Sequence, residues 1–354
     1  MRRCLTYLCL TALLATLAAC RNDEPPIIAE SENPVILSVG QKPTRATIFE
    51  HDNMLIDHAA GGGNYTLDSY VTGTNTQYHN DNWVYYFPDG ARWWFRTGNV
   101  MYNTYWPKTK KLDFMAYMPY SEQLSKSTFE IEPYQPATGA SFSCALPLVY
   151  NGTTPPAGVV TQDNVQEFLY AYTKNKGYDD QVAAGGAVHL QFVHPTAAIY
   201  LKLAQSYRMT LESISFENIY NQGTYSSTGD TSDPAFEYGT WSYQGNKTGN
   251  DLVLNFNKKV PEDINYNSVF VGPILVLPQA LDNVILDIKA QRTDGSTYNK
   301  ALNFNTVDAA YRKWEPGKKY TYTLQLDDNN EEILFKIEVE AWTAINHDHI
   351  VDVE

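Results

Sequence analysis

His189 and His194 are the two histidines nearest each other in the middle of this 354-residue chain. They stand five positions apart. Side chains alternate along an extended strand, so the two imidazoles point to opposite faces and cannot share a metal. His347-Asp348-His349 does put two imidazoles on one face, half of a metal site, but no third ligand lies near it in sequence and the segment reads as solvated. Gly61-Gly62-Gly63 could cradle an anion, yet no Lys, Arg or Ser/Thr-led helix follows it, and it reads as a loop. There is no GxSxG, HExxH or P-loop, and Cys144, set in Ser141–Leu146, reads as a small core residue. Acidic residues are plentiful, but none pair off for general acid–base work. The residues point to no enzyme, no metal and no cofactor.

The chemistry that stands out is processing. Met1–Ala19 carries Arg2 and Arg3, then no charge until Arg21. Its apolar core, Leu5–Leu17, is shorter than the ~20 residues a bilayer span needs and suits a signal peptide. It ends in Leu17-Ala18-Ala19-Cys20, a bacterial lipobox in which Cys20 receives the lipid. A secretory signal with an ordinary small-residue cleavage site is the competing reading. Several acyl chains on one cysteine anchor stably, which a single chain does not. Arg21-Asn22-Asp23-Glu24 resembles the acidic surface-export tag of lipoproteins from Gram-negative anaerobes.

Composition fits an exported product. The chain has 26 basic and 40 acidic residues; losing Arg2 and Arg3 with the signal leaves a net charge of −16. Such a balance keeps a protein soluble and argues against nucleic acid or anionic lipid as partner. Of the four cysteines, Cys4 and Cys9 leave with the signal and Cys20 is acylated. Cys144 alone remains, so no intrachain disulfide forms.

The segment that organises the rest is 34–50. It holds a short apolar run (Val35, Ile36, Leu37, Val39), a turn at Gly40 and Pro43, and then an isolated Arg45 followed by Ala46. No Lys or Arg occurs between Arg45 and Arg92, and Pro43 protects Lys42, so a trypsin-like, Arg-specific protease has one choice here. Two readings stand: 34–40 is a removable strand of the sandwich behind it, or simply a first strand that stays.

Beyond this point the patterning is that of strands and turns. Leu112, Phe114, Ala116 and Met118 alternate with Asp113, Met115 and Tyr117, the period of a half-buried strand. Ile199, Leu201 and Leu203 repeat it, and Pro195 predicts a bend or an edge just before them. Asn221–Gly239, rich in Gly, Ser, Thr and Asp, reads as a long loop. Asp294-Gly295 predicts a hairpin between 284–290 and 298–304. Tyr320, Tyr322, Leu324 and Leu326 alternate cleanly, and Ile333–Val339 returns antiparallel. No long helical period occurs in the mature chain.

Several of these stretches together resemble the fimbrillin family, the lipoprotein-derived subunits of type V pili. They are Leu17–Cys20, Thr44-Arg45-Ala46, Tyr105-Trp106-Pro107 with Leu112–Pro119, Phe168–Ala171, Val188–His194, Trp314-Glu315-Pro316-Gly317 with Tyr320-Thr321-Tyr322, and Trp342. The run His194-Pro195-Thr196 departs from the family, where an Ala-Leu pair is usual. The resulting expectation is an all-β chain of two tandem transthyretin-like, Greek-key β-sandwich domains behind a cleavable lipoprotein leader. The divisions are 1–19 signal peptide, 20–45 lipidated tether and removable strand, 46–185 first sandwich and 186–354 second.

Three function classes follow. The first is a structural subunit of cell-surface fimbriae, located at the outer membrane and cell surface and supporting adhesion. It would be cut after Arg45 and assembled by donor-strand exchange. Its partners would be other pilus subunits, outer-membrane lipid through Cys20 before maturation, the Arg-specific protease, and a surface receptor the sequence does not name. The candidate donor is 343–354, whose odd-numbered face carries Ile345, Val351 and Val353. The second is a surface lipoprotein that binds glycans on Trp93, Trp94 and Tyr105 without polymerising. The third is a glycoside hydrolase. Aromatics at strand spacing are core material before they are a sugar platform, which favours the first.

Overall fold

The structure is a computed structural model and describes residues 28–39, 64–87, 92–97, 100–118, 128–151, 168–206, 208–326 and 334–341. The strands in order are β1 (Glu30–Pro34), β2 (Leu37–Val39), β3 (Asn64–Val71), β4 (Gln77–Phe87), β5 (Arg92–Thr97) and β6 (Val100–Tyr102). Then come β7 (Tyr105–Pro107), β8 (Leu112–Met118), β9 (Phe129–Ile131), β10 (Ala140–Ala145), β11 (Val149–Asn151) and β12 (Leu169–Lys176). A short helix, α1 (Tyr178–Ala183), leads to β13 (Val188–Leu190), β14 (Ala197–Ser206), β15 (Met209–Glu217), β16 (Gln222–Ser227) and β17 (Thr240–Tyr243). The last group is β18 (Leu252–Val260), β19 (Val269–Val276), β20 (Gln279–Ala280), β21 (Ile285–Arg292), β22 (Thr297–Asn303), β23 (Lys313–Trp314), β24 (Lys318–Leu326) and β25 (Leu334–Ala341). The chain is all-β, as its patterning predicts.

In the later part of the chain, the sheet β11-β18-β15-β21-β22 faces the sheet β19-β14-β24-β25. Ile199, Leu201 and Leu203 from β14 and Tyr322 and Leu324 from β24 meet Leu211, Ile214, Leu254 and Ile288 in one core. Alternation in these strands is what sends one set of side chains inward. The Asp294-Gly295 turn joins β21 and β22 antiparallel, with Gln291 opposite Thr297. β24 and β25 are antiparallel as well, Tyr320 facing Val339. Ahead of β14 the chain leaves strand geometry after Leu190, makes an isolated antiparallel bridge from Val193 to Tyr170 and resumes as a strand at Ala197, so the bend expected from Pro195 is present.

The earlier part is built on the six-stranded sheet β12-β8-β3-β4-β5-β6. The strand β8, next to the edge strand β12, departs from expectation, because all seven residues are buried. Phe114, Ala116 and Met118 pack with Leu67, Trp106 and Leu190 on one face. Met115 and Tyr117 pack with Phe129, Phe142, Tyr170 and Tyr225 on the other. A second sheet, β17-β16-β10-β9, covers that other face. Asp113, also buried, is accommodated by three donors: Thr72 Oγ1 at 2.8 Å, Asn175 N at 2.7 Å and Tyr134 Oη at 2.8 Å. A buried carboxylate without such partners would be costly.

The covering sheet corrects the loop reading of 221–239. Gln222–Ser227 is a strand, antiparallel to β10 with Phe142 opposite Tyr225. The small residues here serve close packing. A Cβ on Gly239 would lie 1.9 Å from the carbonyl oxygen of Ser226. Pairing therefore crosses position 185 both ways: β16 and β17 join β10 and β9, while β11 runs parallel to β18. Ala198 and Tyr200, on the back of β14, complete the core that the earlier strands began.

Candidate assembly groove

The segment 28–39 enters the fold along two edges. β1 lies antiparallel to β7, Glu30 opposite Pro107 and Pro34 opposite Tyr105. β2 lies parallel to β13, Leu37 opposite Val188 and Val39 opposite Leu190. Between them the ladder changes partner: Val35 N donates to Thr104 O at 2.8 Å, and Val188 N donates to Ile36 O at 2.8 Å. Pro34 has no N–H to contribute, which suits the last residue of an edge strand.

Val35 and Leu37 point inward, 6% and 3% exposed, and join the core formed with Trp106, Leu190 and Phe192. Burying side chains of this size contributes roughly 1.5–3 kcal/mol each. Ile36 between them and Ser38 after them are half-buried. Without this segment, the apolar slots of Val35 and Leu37 and the backbone of β7 and β13 would lose their partners, and exposed edges of that kind template pairing with another chain.

Gln181 occupies the point where the ladder switches. It is 3% exposed and projects from α1. Its Oε1 accepts from Ile36 N at 2.8 Å and from the Trp106 indole N–H at 3.0 Å, while its Nε2 donates to Pro34 O at 3.2 Å. Asp180 Oδ2 holds the start of α1 by accepting from Gly177 N at 2.8 Å and pairing with Lys111 Nζ at 2.9 Å.

Val35, Ile36, Leu37 and Val39 lie in segment 28–39; Cys20, Arg45, Ala46, Ile345, Val351, Val353, His347 and His349 lie outside the described residues. Trp93 and Trp94 fall in β5, and Tyr105, half-buried, in β7. Trp106 is core, 1% exposed and edge-on to Phe114. His189 is exposed, its Nδ1 2.8 Å from Ser38 Oγ, whereas His194 is 2% exposed. Cys144 is buried, and burial pushes its thiol pKa up, away from a reactive thiolate. Among the described residues, no three His, Cys, Asp or Glu side chains form a metal site. No helix there is long and apolar enough to cross a membrane.

Patterning missed Gln181 and His79. Gln181 sits in a helix too short to show a period, and His79 in a strand whose neighbours are polar.

Among curated protein sequences none matches this chain. Its fold is similar to that of a fimbrial protein from Bacteroides vulgatus, at 13% identity and a TM-score of 0.50, over 88% of this chain and 99% of that one. A fimbrilin from Porphyromonas gingivalis aligns at 10% identity with a TM-score of 0.45, over 90% of this chain and 99% of that one. The family model described as fimbrillin-like matches residues 44–342, most of the sequence, and the chain belongs to that family.

Proposed function

We propose that this chain is a structural subunit of cell-surface fimbriae, a type V pilin, that works by assembly and not by catalysis. It is exported as a lipoprotein held in the outer membrane through Cys20, cut after Arg45 by an Arg-specific protease, and joined to neighbouring subunits by donor-strand exchange. Adhesion follows from display of the polymer at the surface.

The observation that carries this reading is the seating of 28–39. Two short strands lie on the edges of β7 and β13, with two inward apolar side chains. That geometry could be reproduced by an extended segment of another chain, the recognition mode in which backbone bonds give affinity and side-chain slots give specificity. The fimbrillin-like match begins at 44 and ends at 342, so both the proposed removable strand and the proposed donor lie outside it.

The test is surface material fractionated from cells. Protein beginning at Ala46 and migrating as a high-mass polymer is expected. Recovery solely of acylated chains beginning at Cys20 would overturn the cleavage at Arg45.

A further inference from the structure

Where the ladder of segment 28–39 passes from β7 to β13, the carbonyl of Pro34 and the N–H of Ile36 are bonded to one side-chain amide, that of Gln181. A glutamine amide offers one carbonyl and one NH2 group, the same functions that a peptide unit of a neighbouring strand presents. It spans the gap between the two edges as a single-residue substitute for a strand. The amide is oriented in advance, because the Trp106 indole N–H donates to the same Oε1. That bond belongs to the body of the protein and not to the segment. Gln181 is 3% exposed with the segment in place, and removing the segment breaks the two bonds it makes to Ile36 N and Pro34 O.

We propose that Gln181 is the residue by which this groove recognises the backbone of its occupant, and that the occupant after maturation is an extended strand of a neighbouring subunit with a free N–H at the position of Ile36. The slots of Val35 and Leu37 select apolar side chains two positions apart. Gln181 selects no side chain. It demands a carbonyl and, two residues later, an N–H, which excludes proline from the second position. This rests on the reading that segment 28–39 is exchanged for a foreign strand.

The test uses the full chain with a specific protease sequence placed between 46 and 60, so that nicking does not depend on Arg45. Release of the nicked segment is followed by competition with a labelled peptide of residues 28–39. A second peptide carries an ester in place of the Ile36 amide, which removes the N–H with little change of shape. The ester is expected to weaken binding about tenfold in the wild-type protein, the range of one hydrogen bond made in a buried site. The penalty persists in Gln181→Glu, which keeps the acceptor, and disappears in Gln181→Leu, which has none. An equal ester penalty in wild type and Gln181→Leu overturns the proposal. An ester penalty below about twofold in the wild type overturns it with no variant required. Failure of the parent peptide to exchange into nicked wild-type protein overturns the strand-exchange reading as well, which separates the two.

Discussion

Nε2 of His79 lies 2.7 Å from Oγ1 of Thr104, and its Nδ1 lies 2.6 Å from Oγ of Ser69. The imidazole is 6% exposed, with the Phe95 ring 5.2 Å away between centroids. Both ring nitrogens are matched by hydroxyls, and burial pushes the pKa from 6.5 down to about 3. Between about pH 6.5 and 3 the unfolded chain therefore binds a proton that the folded chain refuses. Stability is complete above this window and falls as pH drops through it, by at most about 1.4 kcal/mol per unit. The contribution is read as the difference between wild type and His79→Gln in denaturant unfolding from about pH 7 to 4: the variant should lose less stability on acidification than the wild type. An unchanged slope in the variant would assign the acid sensitivity elsewhere.

Asp68 acts in the opposite sense. Burial raises its pKa to about 6, against bonds from Asp81 N at 2.6 Å and Gln77 Nε2. The folded state thus takes up a proton first, and the stability this contributes is complete below about pH 4 and lost as pH rises through 6. Asp68→Asn should steepen the acid loss between pH 6 and 4 relative to wild type. A shallower loss in this variant would contradict the assignment.

Trp106 anchors the core beneath segment 28–39. Its ring is 1% exposed, and its N–H orients Gln181. Trp106→Ala should cost about 3–5 kcal/mol and shift the thermal melt strongly. A variant that melted like wild type would contradict this core role.

Gly239 and Gly245 separate close approach from backbone strain. A Cβ on Gly239 would sit 1.9 Å from the carbonyl oxygen of Ser226, a backbone atom of β16 that no rotamer can clear. Gly239 N also donates to Tyr225 Oη at 2.7 Å. Gly245 has φ +79 and open space around it. Gly239→Ala should cost about 3 kcal/mol or more, and Gly245→Ala about 1–2 kcal/mol for the left-handed backbone alone. Equal melts for the two variants would mean that β16 gives way at little cost.

The contrast between these sites and the strand patterning marks what is legible in one sequence. Alternation in 112–118 identifies β8, since the period of two is local. Its burial on both faces is not local: Met115 and Tyr117 are covered by β10 and β16, and β16 lies more than 100 positions onward. Composition at 221–239 signalled a loop because Gly and Ser favour turns, yet the same small residues let β16 approach its neighbours closely. Gln181 left no signal at all. A single amide meeting Ile36 across 145 positions carries no period and no motif. The apolar run Val35–Val39 reads as one strand, whereas only Leu37–Val39 is strand: Val35 and Ile36 lie where the ladder changes partner from β7 to β13, which depends on where two distant edges fall.

The groove receives apolar side chains at Val35 and Leu37, two positions apart, with Ile36 half-buried between them. Val351-Asp352-Val353 has the same spacing, and Ile345 continues the same odd-numbered face. Residue 352 is not proline, so it would carry the N–H that Gln181 accepts in our reading. Twelve residues at about 3.3 Å each reach some 40 Å, enough for one intermolecular strand, and 343–354 lies beyond the family match. Protein lacking 343–354 and cut after Arg45 is expected to fold as a monomer that does not polymerise. Mixed with wild type, it should still be captured, because its own groove can accept a wild-type donor. Size-exclusion chromatography with a label on the truncated chain reads both outcomes. Homopolymers of the truncated protein would place the donor elsewhere in the chain.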